Sequence, residues 1–426
     1  MSSPTPLLSI ERNVQSAARS EGVDISLAQN RERLRTLISG AIDEWQSANP
    51  ARPLTSEARR YLAQRAEADV AGYGPLQALL EDDSVWEIIV NSPEAIFVKR
   101  HGRPTAFHGA AFHDADHLRR TVERILADSG LGQRALDPAE GLQDAQLRGG
   151  ARLHIVHADL TREGSLALNI RKFTGLPRRS LDDLVEGGML SQAAASLLRA
   201  AQSANASIVF SGPPGSGKTT LLSALAAEMP ADTRVVVAEE VLETHIPLPN
   251  VAHLQTRPAR PERPAVDLRR LVAGFLRMAP DLAIVGEVRD HEALPLVLTL
   301  SSGVSGYTTL HATSARAALS RLRLLVQIAG HSIPFPAATH MVTDAVDLVV
   351  HCMRLEGRPA VTEIHAVEDS AAGADSTTFT TTPLFMHSPS GLLPSGLVPA
   401  RLGERARSRG DAEFRRRLQG LESHDA

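Results

Sequence analysis

Cysteine is almost missing from this chain: Cys352 stands alone in 426 residues, so no intrachain disulfide can form. Aromatic residues are scarce too, at 4%, which argues against the stacking platforms that single-stranded nucleic acid requires. No apolar run nears the ~20 residues of a membrane-spanning helix; the best, Leu282–Val285 and Ala345–Val350, are far shorter. A net charge of -4 leaves no broad basic surface for nucleic acid. Met1 to Arg12 has neither the basic stretch nor the apolar stretch of a signal peptide, so a cytoplasmic location is expected. Lysine is confined to Lys99, Lys172 and Lys218, while arginine is abundant. Where a cation needs only to be solvated, either residue serves. A compact ammonium between phosphates is different, so a lysine kept inside a glycine loop is informative.

What remains is 43% apolar and 22% charged, the balance of a globular chain whose length suggests two or three domains. The pattern predicts a polar, partly helical segment over 1–70, with helices near Ile25–Gln46 and Ser56–Ala71 and a break at Asn49–Pro53. An α+β domain is expected over 71–174, with strands at Val85–Val90, Ala95–Arg100, Arg152–His157 and Leu166–Ile170. Leu118, Val122 and Ile125 mark one face of a helix within His113–Ser129. The pattern changes at Gly175-Leu176-Pro177. From there to 385 an α/β domain is expected, with strands at Ala206–Phe210, Arg234–Ala238, Leu282–Val285 and Tyr307–Leu310 in a mainly parallel, doubly wound sheet. Residues 386–426, rich in Pro, Ser and Gly and then in Arg, read as a C-terminal tail whose end is a flexible or loosely helical solvated segment.

The segment Gly212-Pro213-Pro214-Gly215-Ser216-Gly217-Lys218-Thr219 fits the phosphate-loop pattern, with a strand before it and a helix after. Its glycines let backbone N–H groups turn inward around phosphate oxygens, and the helix adds its positive end. Lys218 is expected to reach the β- and γ-phosphates of ATP, and Thr219 to ligate Mg²⁺, with Thr220 completing the binding segment. Glu287, at the end of the apolar strand 282–285, is the candidate for polarising water and assisting the metal. Glu239, Glu240 and Glu243 follow another strand, either to bind Mg²⁺ through water and orient the nucleophile or simply as a charged, solvated turn. His311 ends a third strand, to bond the γ-phosphate or as a structural histidine. Arg289 and Asp290 read as flanking surface residues.

The ordered set of Gly212–Thr219, Glu239-Glu240 with Glu243, Arg277–Asp281 with Ile284–Arg289, and Thr308–Ala312 resembles the Walker A, Asp-box, Walker B and His-box series of the type II/type IV secretion ATPase superfamily. It is most similar to the tight-adherence (Flp) pilus assembly ATPases of the CpaF/TadA type. Gly74-Pro75-Leu76, Glu87–Asn91, Leu319–Leu322 and Val361–Ile364 extend the likeness over roughly 70–370. The resemblance implies a RecA-like P-loop NTPase domain with a parallel sheet, preceded by a smaller α+β domain, in a homo-hexameric ring. It also implies ATP and Mg²⁺ as ligands, with Arg152 and Arg171 as γ-phosphate-sensing arginines. The implied partner is an inner-membrane platform protein, which would hold the chain peripherally at the membrane. Departures are Glu239-Glu240 where relatives have Glu-Asp, Asp144-Ala145-Gln146-Leu147 where they have Asp-Ala-Arg-Leu, and Leu153-His154 for a common Val-Asn. A RecA-like nucleic-acid translocase and a non-hydrolysing nucleotide-binding regulator are the competing readings.

Overall fold

The computed structural model describes residues 6–25, 28–100, 103–129, 135–147, 151–172, 180–257, 259, 263–330, 332–369 and 378–408. The chain divides into two compact units, Met1–Thr174 and Gly175–Ala426. The expected change of pattern at Gly175-Leu176-Pro177 and the end of the arginine-rich tail lie outside the described residues.

The first unit opens with helices α1 (Pro6–Ser20), α2 (Arg31–Ala48) and α3 (Ser56–Ala71). Ile10 and Val14 of α1, Leu34, Ile38 and Ile42 of α2, and Leu62, Ala66 and Val70 of α3 recur every fourth residue and meet in one apolar core. The sequence reading has no helix before Ile25. The apolar stripe of α1 is narrow, and it becomes a helix because α2 and α3 cover it. A short α4 (Gln77–Glu81) leads into strands β1 (Val85–Ser92), β2 (Ala95–Arg100) and β3 (Ala106–His108). Helix α5 (Ala115–Ser129) follows, then β4 (Leu142–Gln146), β5 (Arg152–Val156) and β6 (Ala167–Arg171). The strands form an antiparallel sheet in the order β3-β2-β1-β6-β5-β4. The predicted face of α5, Leu118, Val122 and Ile125, is buried together with Ile88, Val90, Leu153 and Ile170 of the sheet. Strands β3 and β4 have no sequence-based counterpart. Both are edge strands with an exposed apolar residue, Phe107 and Leu142, so neither shows a buried-strand pattern.

In the second unit, α6 (Leu181–Glu186) and α7 (Gln192–Ser203) precede β7 (Ile208–Ser211), α8 (Lys218–Ala226), β8 (Val235–Glu239) and β9 (Val251–Gln255). Then come α9 (Leu268–Val272), β10 (Leu282–Val285), α10 (Ala293–Ser301), β11 (Ser305–Leu310), α11 (Ala315–Ala329) and α12 (Phe335–Ala345). The chain closes with β12 (Leu348–Leu355), β13 (Arg358–Val367), β14 (Thr381–Ser388), β15 (Gly391–Pro394) and α13 (Ala400–Ser408). The sheet order is β15-β14-β13-β12-β7-β11-β10-β8-β9. It is parallel from β12 to β9 and antiparallel beyond β12.

Both faces of the parallel part are covered, as α/β sheets require. Ile208, Phe210, Val235, Val237, Leu282 and Ile284 point into one core. Their neighbours Val209, Val236, Ala238, Ala283 and Val285 point into the other. This two-sided burial brings β7, β8, β10 and β11 to a common carboxyl end, where open α/β sheets carry their ligands.

The expected start of the C-terminal tail at 386 needs correction. Strand β14 runs to Ser388, β15 pairs with it, and Leu392 is buried in the same core as Leu384 and Phe385. The Pro, Ser and Gly residues that suggested a tail punctuate this hairpin, with Gly391 at φ +109°. Glu368 then accepts from the Ala400 and Arg401 backbone N–H groups and so fixes the start of α13.

Candidate nucleotide site

The loop between β7 and α8 is shaped by its glycines. Gly212, Gly215 and Gly217 have φ values of +144°, +71° and +89°. At Gly212 an added Cβ would lie 2.0 Å from the Cys352 carbonyl oxygen, and at Gly217 it would lie 2.9 Å from Met189 Cε. The neighbouring strand β12 thus leaves no room for a side chain at the mouth of the loop. We expect Gly212→Ala to lose roughly 1–3 kcal/mol of stability and most of its nucleotide affinity. A thermal melt paired with a fluorescent-nucleotide titration checks this, and unchanged values in both would refute it.

Pro213, Pro214 and Gly215 are exposed at the loop tip, while Ser216 and Lys218 are buried and Thr219 and Thr220 are partly exposed at the start of α8. Lys218 Nζ donates to the Gly212 and Pro213 carbonyls at 3.0 and 2.9 Å. It also lies 3.3 Å from His311 Nδ1, which is itself 3.1 Å from the Gly212 carbonyl oxygen. The other ring nitrogen, His311 Nε2, lies 2.8 Å from Glu287 Oε1. Loop lysine, strand-end histidine and strand-end carboxylate therefore form one contact chain across β7, β11 and β10.

Arg289, read from sequence as a surface flank, belongs to this chain. Its guanidinium donates to Glu287 Oε2 at 2.6 Å and lies 3.5 Å from Glu240 Oε2. Burial pushes the Glu287 pKa up, but Arg289, with His311 and Lys218 behind it, overcomes this and holds it below the ordinary glutamate value. Glu287 is therefore ionised at neutral pH.

The Asp-box carboxylates do not behave as one group. Glu239 ends β8 and is only 3% exposed, so a solvated turn is the wrong description for it. Its Oε1 accepts from the Glu243 and Thr244 backbone N–H groups and from the Thr244 hydroxyl, at 3.2, 2.9 and 2.6 Å. Burial nevertheless raises its pKa. Among the described residues its Oε2 has no hydrogen-bond partner, and neither has the buried Ser216 hydroxyl. Gly286 explains why Glu239 fits: a Cβ there would come within 2.7 Å of Glu239 Cγ. Glu240 is exposed and faces Arg289, and Glu243 is partly exposed. Thr309, between His311 and the sheet, donates to the Gly286 carbonyl at 2.6 Å and ties the β10 and β11 ends together.

Arg354 escaped the sequence reading. It projects from β12 and donates to the Gly215 carbonyl at 3.1 Å, supporting the loop from the side. Because β12 lies so far along the chain, no local pattern links it to the loop. Arg152 and Arg171 belong to the first unit, where they are paired in register on β5 and β6. The substituted His154 lies 2.7 Å from Asp144 across β4 and β5.

These residues suit a nucleotide. The loop offers turned backbone N–H groups and an ammonium, and two unpartnered buried oxygens beside it suit a metal-bound water shell. Comparison with known proteins agrees. The type II/IV secretion system protein family matches residues 69–372. The conjugal transfer protein TrbB of Rhizobium radiobacter is 31% identical over 294 residues, covering 68% of this chain and 85% of TrbB. The type IV secretion system protein PtlH of Bordetella pertussis is 33% identical over 313 residues, covering 67% of this chain and 91% of PtlH. The crystal structure of the VirB11 ATPase from the Brucella suis type IV secretion system, in complex with sulphate, is 27% identical, with a TM-score of 0.36 over 68% of this chain and 95% of that one.

Proposed function

The chain belongs to the type II/IV secretion system protein family and is a nucleotide-binding ATPase, and we propose that it drives assembly of a Flp-type pilus or a closely related secretion machine. The observation that carries the enzymatic part is the contact chain from Lys218 through His311 to Glu287 at the carboxyl end of a parallel sheet. The pilus-assembly subtype is supported by the ordered motifs and by Gly74-Pro75-Leu76 and Glu87–Asn91 ahead of them.

In the proposed mechanism the backbone of Gly212–Thr219 and Lys218 hold the β- and γ-phosphates, with Pro213 and Pro214 shaping the tip and Thr220 continuing the helix. Mg²⁺, bound through Thr219 and assisted by Glu287, would neutralise charge on the phosphate oxygens. Glu287, ionised beside Arg289, accepts a proton from the attacking water. Glu239, with Glu240 and Glu243 beyond it, would hold water beside a bound Mg²⁺ through its free Oε2. His311 links the Lys218 ammonium to Glu287, so departure of the γ-phosphate is felt along the chain. Arg152 and Arg171 are assigned as γ-phosphate sensors on the resemblance alone, and a guanidinium suits that role because its bidentate contact vanishes on hydrolysis.

We further propose a homo-hexamer, attached peripherally to the inner face of the cell membrane through a platform protein. No described helix is long and apolar enough to cross a membrane, so a pulling or pushing output needs such a partner. Deleting the chromosomal copy and restoring wild type or Lys218→Ala at equal protein level tests the biological role. Surface filaments or secreted substrate should return only with wild type. Filaments that persist in the deletion strain would exclude the pilus role.

The depressed pKa of Glu287 adds a pH prediction. Its ionised form persists below the ordinary glutamate range because Arg289 overcomes burial. In Arg289→Ala, burial dominates and the pKa rises, so the acid limb of turnover moves to higher pH. An unmoved acid limb would remove Arg289 from this role.

A further inference from the structure

We propose that Asp69, His113 and His117 form a structural binding site for a divalent transition-metal cation, best suited to Zn²⁺, in the first unit. The three residues come from separate places in the sequence. Asp69 is near the end of α3, His113 precedes α5, and His117 is in its first turn. One ligand atom from each lies within 4.8 Å of the others. His113 Nε2 is 3.6 Å from Asp69 Oδ2, and His117 Nε2 is 3.9 Å from Asp69 Oδ1. A tetrahedral ion with ~2.0–2.1 Å bonds draws its ligand atoms to about 3.4 Å apart, so modest side-chain movement suffices.

The second observation is burial without hydrogen bonds, Asp69 having the Arg65 guanidinium beside it as an ion partner. Asp69 is 7% exposed and His117 is 4% exposed. Among the described residues, both Asp69 oxygens and His117 Nε2 lack hydrogen bonds. Polar atoms in that condition are costly, and a shared cation relieves them together. The two imidazoles stack with centroids 4.8 Å apart, and their four-residue spacing suits a shared ion.

The surroundings also fit. Gly74, at φ +57°, passes so close that a Cβ would lie 3.2 Å from Asp69 Oδ1 and 3.3 Å from His117 Nε2. The Gly74-Pro75-Leu76 turn thus keeps the cluster open. A cavity of about 300 Å³ adjoins it. Glu11 of α1, 2.8 Å from His113 Nε2, is the next oxygen donor, and its hydrogen bond to that nitrogen is given up when the nitrogen ligates the ion. Positive groups are close by: Arg65 Nη2 is 3.3 Å from Asp69 Oδ1, and Arg12, Arg120 and Arg124 line the cavity. Arg65 and Arg124 are committed to the Ala111 and Gly72 carbonyls, respectively. Metal on His117 Nε2 puts the ring proton on Nδ1, so the 3.3 Å contact there from the His113 backbone N–H is given up. Such an ion would pin α1 and α3 to α5, joining the helical core to the sheet.

The test uses the full purified chain, stripped with chelator and titrated with Co²⁺ and then Zn²⁺. Roughly one Co²⁺ per chain should give the strong visible absorption of a tetrahedral site, and Zn²⁺ should abolish it and raise the melting temperature. His117→Ala should weaken binding by on the order of 100-fold, as should the partly exposed His113→Gln if His117→Ala fails to fold. His340→Ala, at an exposed position on α12 in the other unit, should bind like wild type. A wild-type chain without that absorption overturns the proposal. So does absorption that survives in His117→Ala, or that disappears in His340→Ala.

Discussion

Lys218→Ala is expected to abolish ATP turnover, with a fall on the order of 10³-fold and a marked loss of nucleotide affinity. The reason is geometric as well as electrostatic. Lys218 is 6% exposed and is held by the Gly212 and Pro213 carbonyls at the mouth of the loop. Alanine removes the cation that meets the β- and γ-phosphates, and the other two lysines are engaged elsewhere, Lys99 with Glu87 and Lys172 with the Leu79 and Asp82 carbonyls. A preorganised donor aimed at developing charge in a buried site is worth on the order of 10²–10³ in rate by itself. Lost binding adds to that. Phosphate release and nucleotide titration on the same preparation measure the two effects separately, and near-normal turnover would remove Lys218 from the site.

Glu287→Gln should behave differently. Glutamine keeps the size and one acceptor but cannot take a proton, so ATP should still bind while turnover falls on the order of 10²–10⁴-fold. The contacts of Glu287 with Arg289 and His311 sharpen the expectation. Glutamine leaves Arg289 with Glu240 as its remaining ion partner among the described residues, and wild-type-like turnover would mean that another carboxylate is the base. Glu239 is the obvious rival: its raised pKa makes it the stronger base of the two, but its Oε1 is already taken up by the Glu243 and Thr244 donors.

Much of this site was legible because its signals are local. The loop declares itself in eight consecutive residues, Gly212–Thr219, and Glu287 follows an apolar strand whose bounds are those predicted, Leu282–Val285. His311 likewise follows a recognisable strand, β11. The environment of each residue was not legible. Glu239 is buried because Gly286, far along the chain, leaves it space. Arg289 and Arg354 gain their roles through pairings that strand periodicity cannot announce. The hairpin of β14 and β15 was missed for a related reason. Its Pro, Ser and Gly residues resemble a tail until Leu384, Phe385 and Leu392 are seen sharing a core. The cluster of Asp69, His113 and His117 was hidden in the same way. The histidine pair has ligand spacing, but its carboxylate arrives from another helix.

The claim that most needs testing is that this chain hydrolyses the nucleotide it holds, as opposed to sensing it. Steady-state phosphate release by purified wild-type protein, measured beside ATP binding in the same sample, addresses it directly. The account predicts many phosphates released per chain, at a rate that collapses in Glu287→Gln while binding persists. A chain that binds ATP through Lys218 yet releases no phosphate beyond the Glu287→Gln level would contradict it.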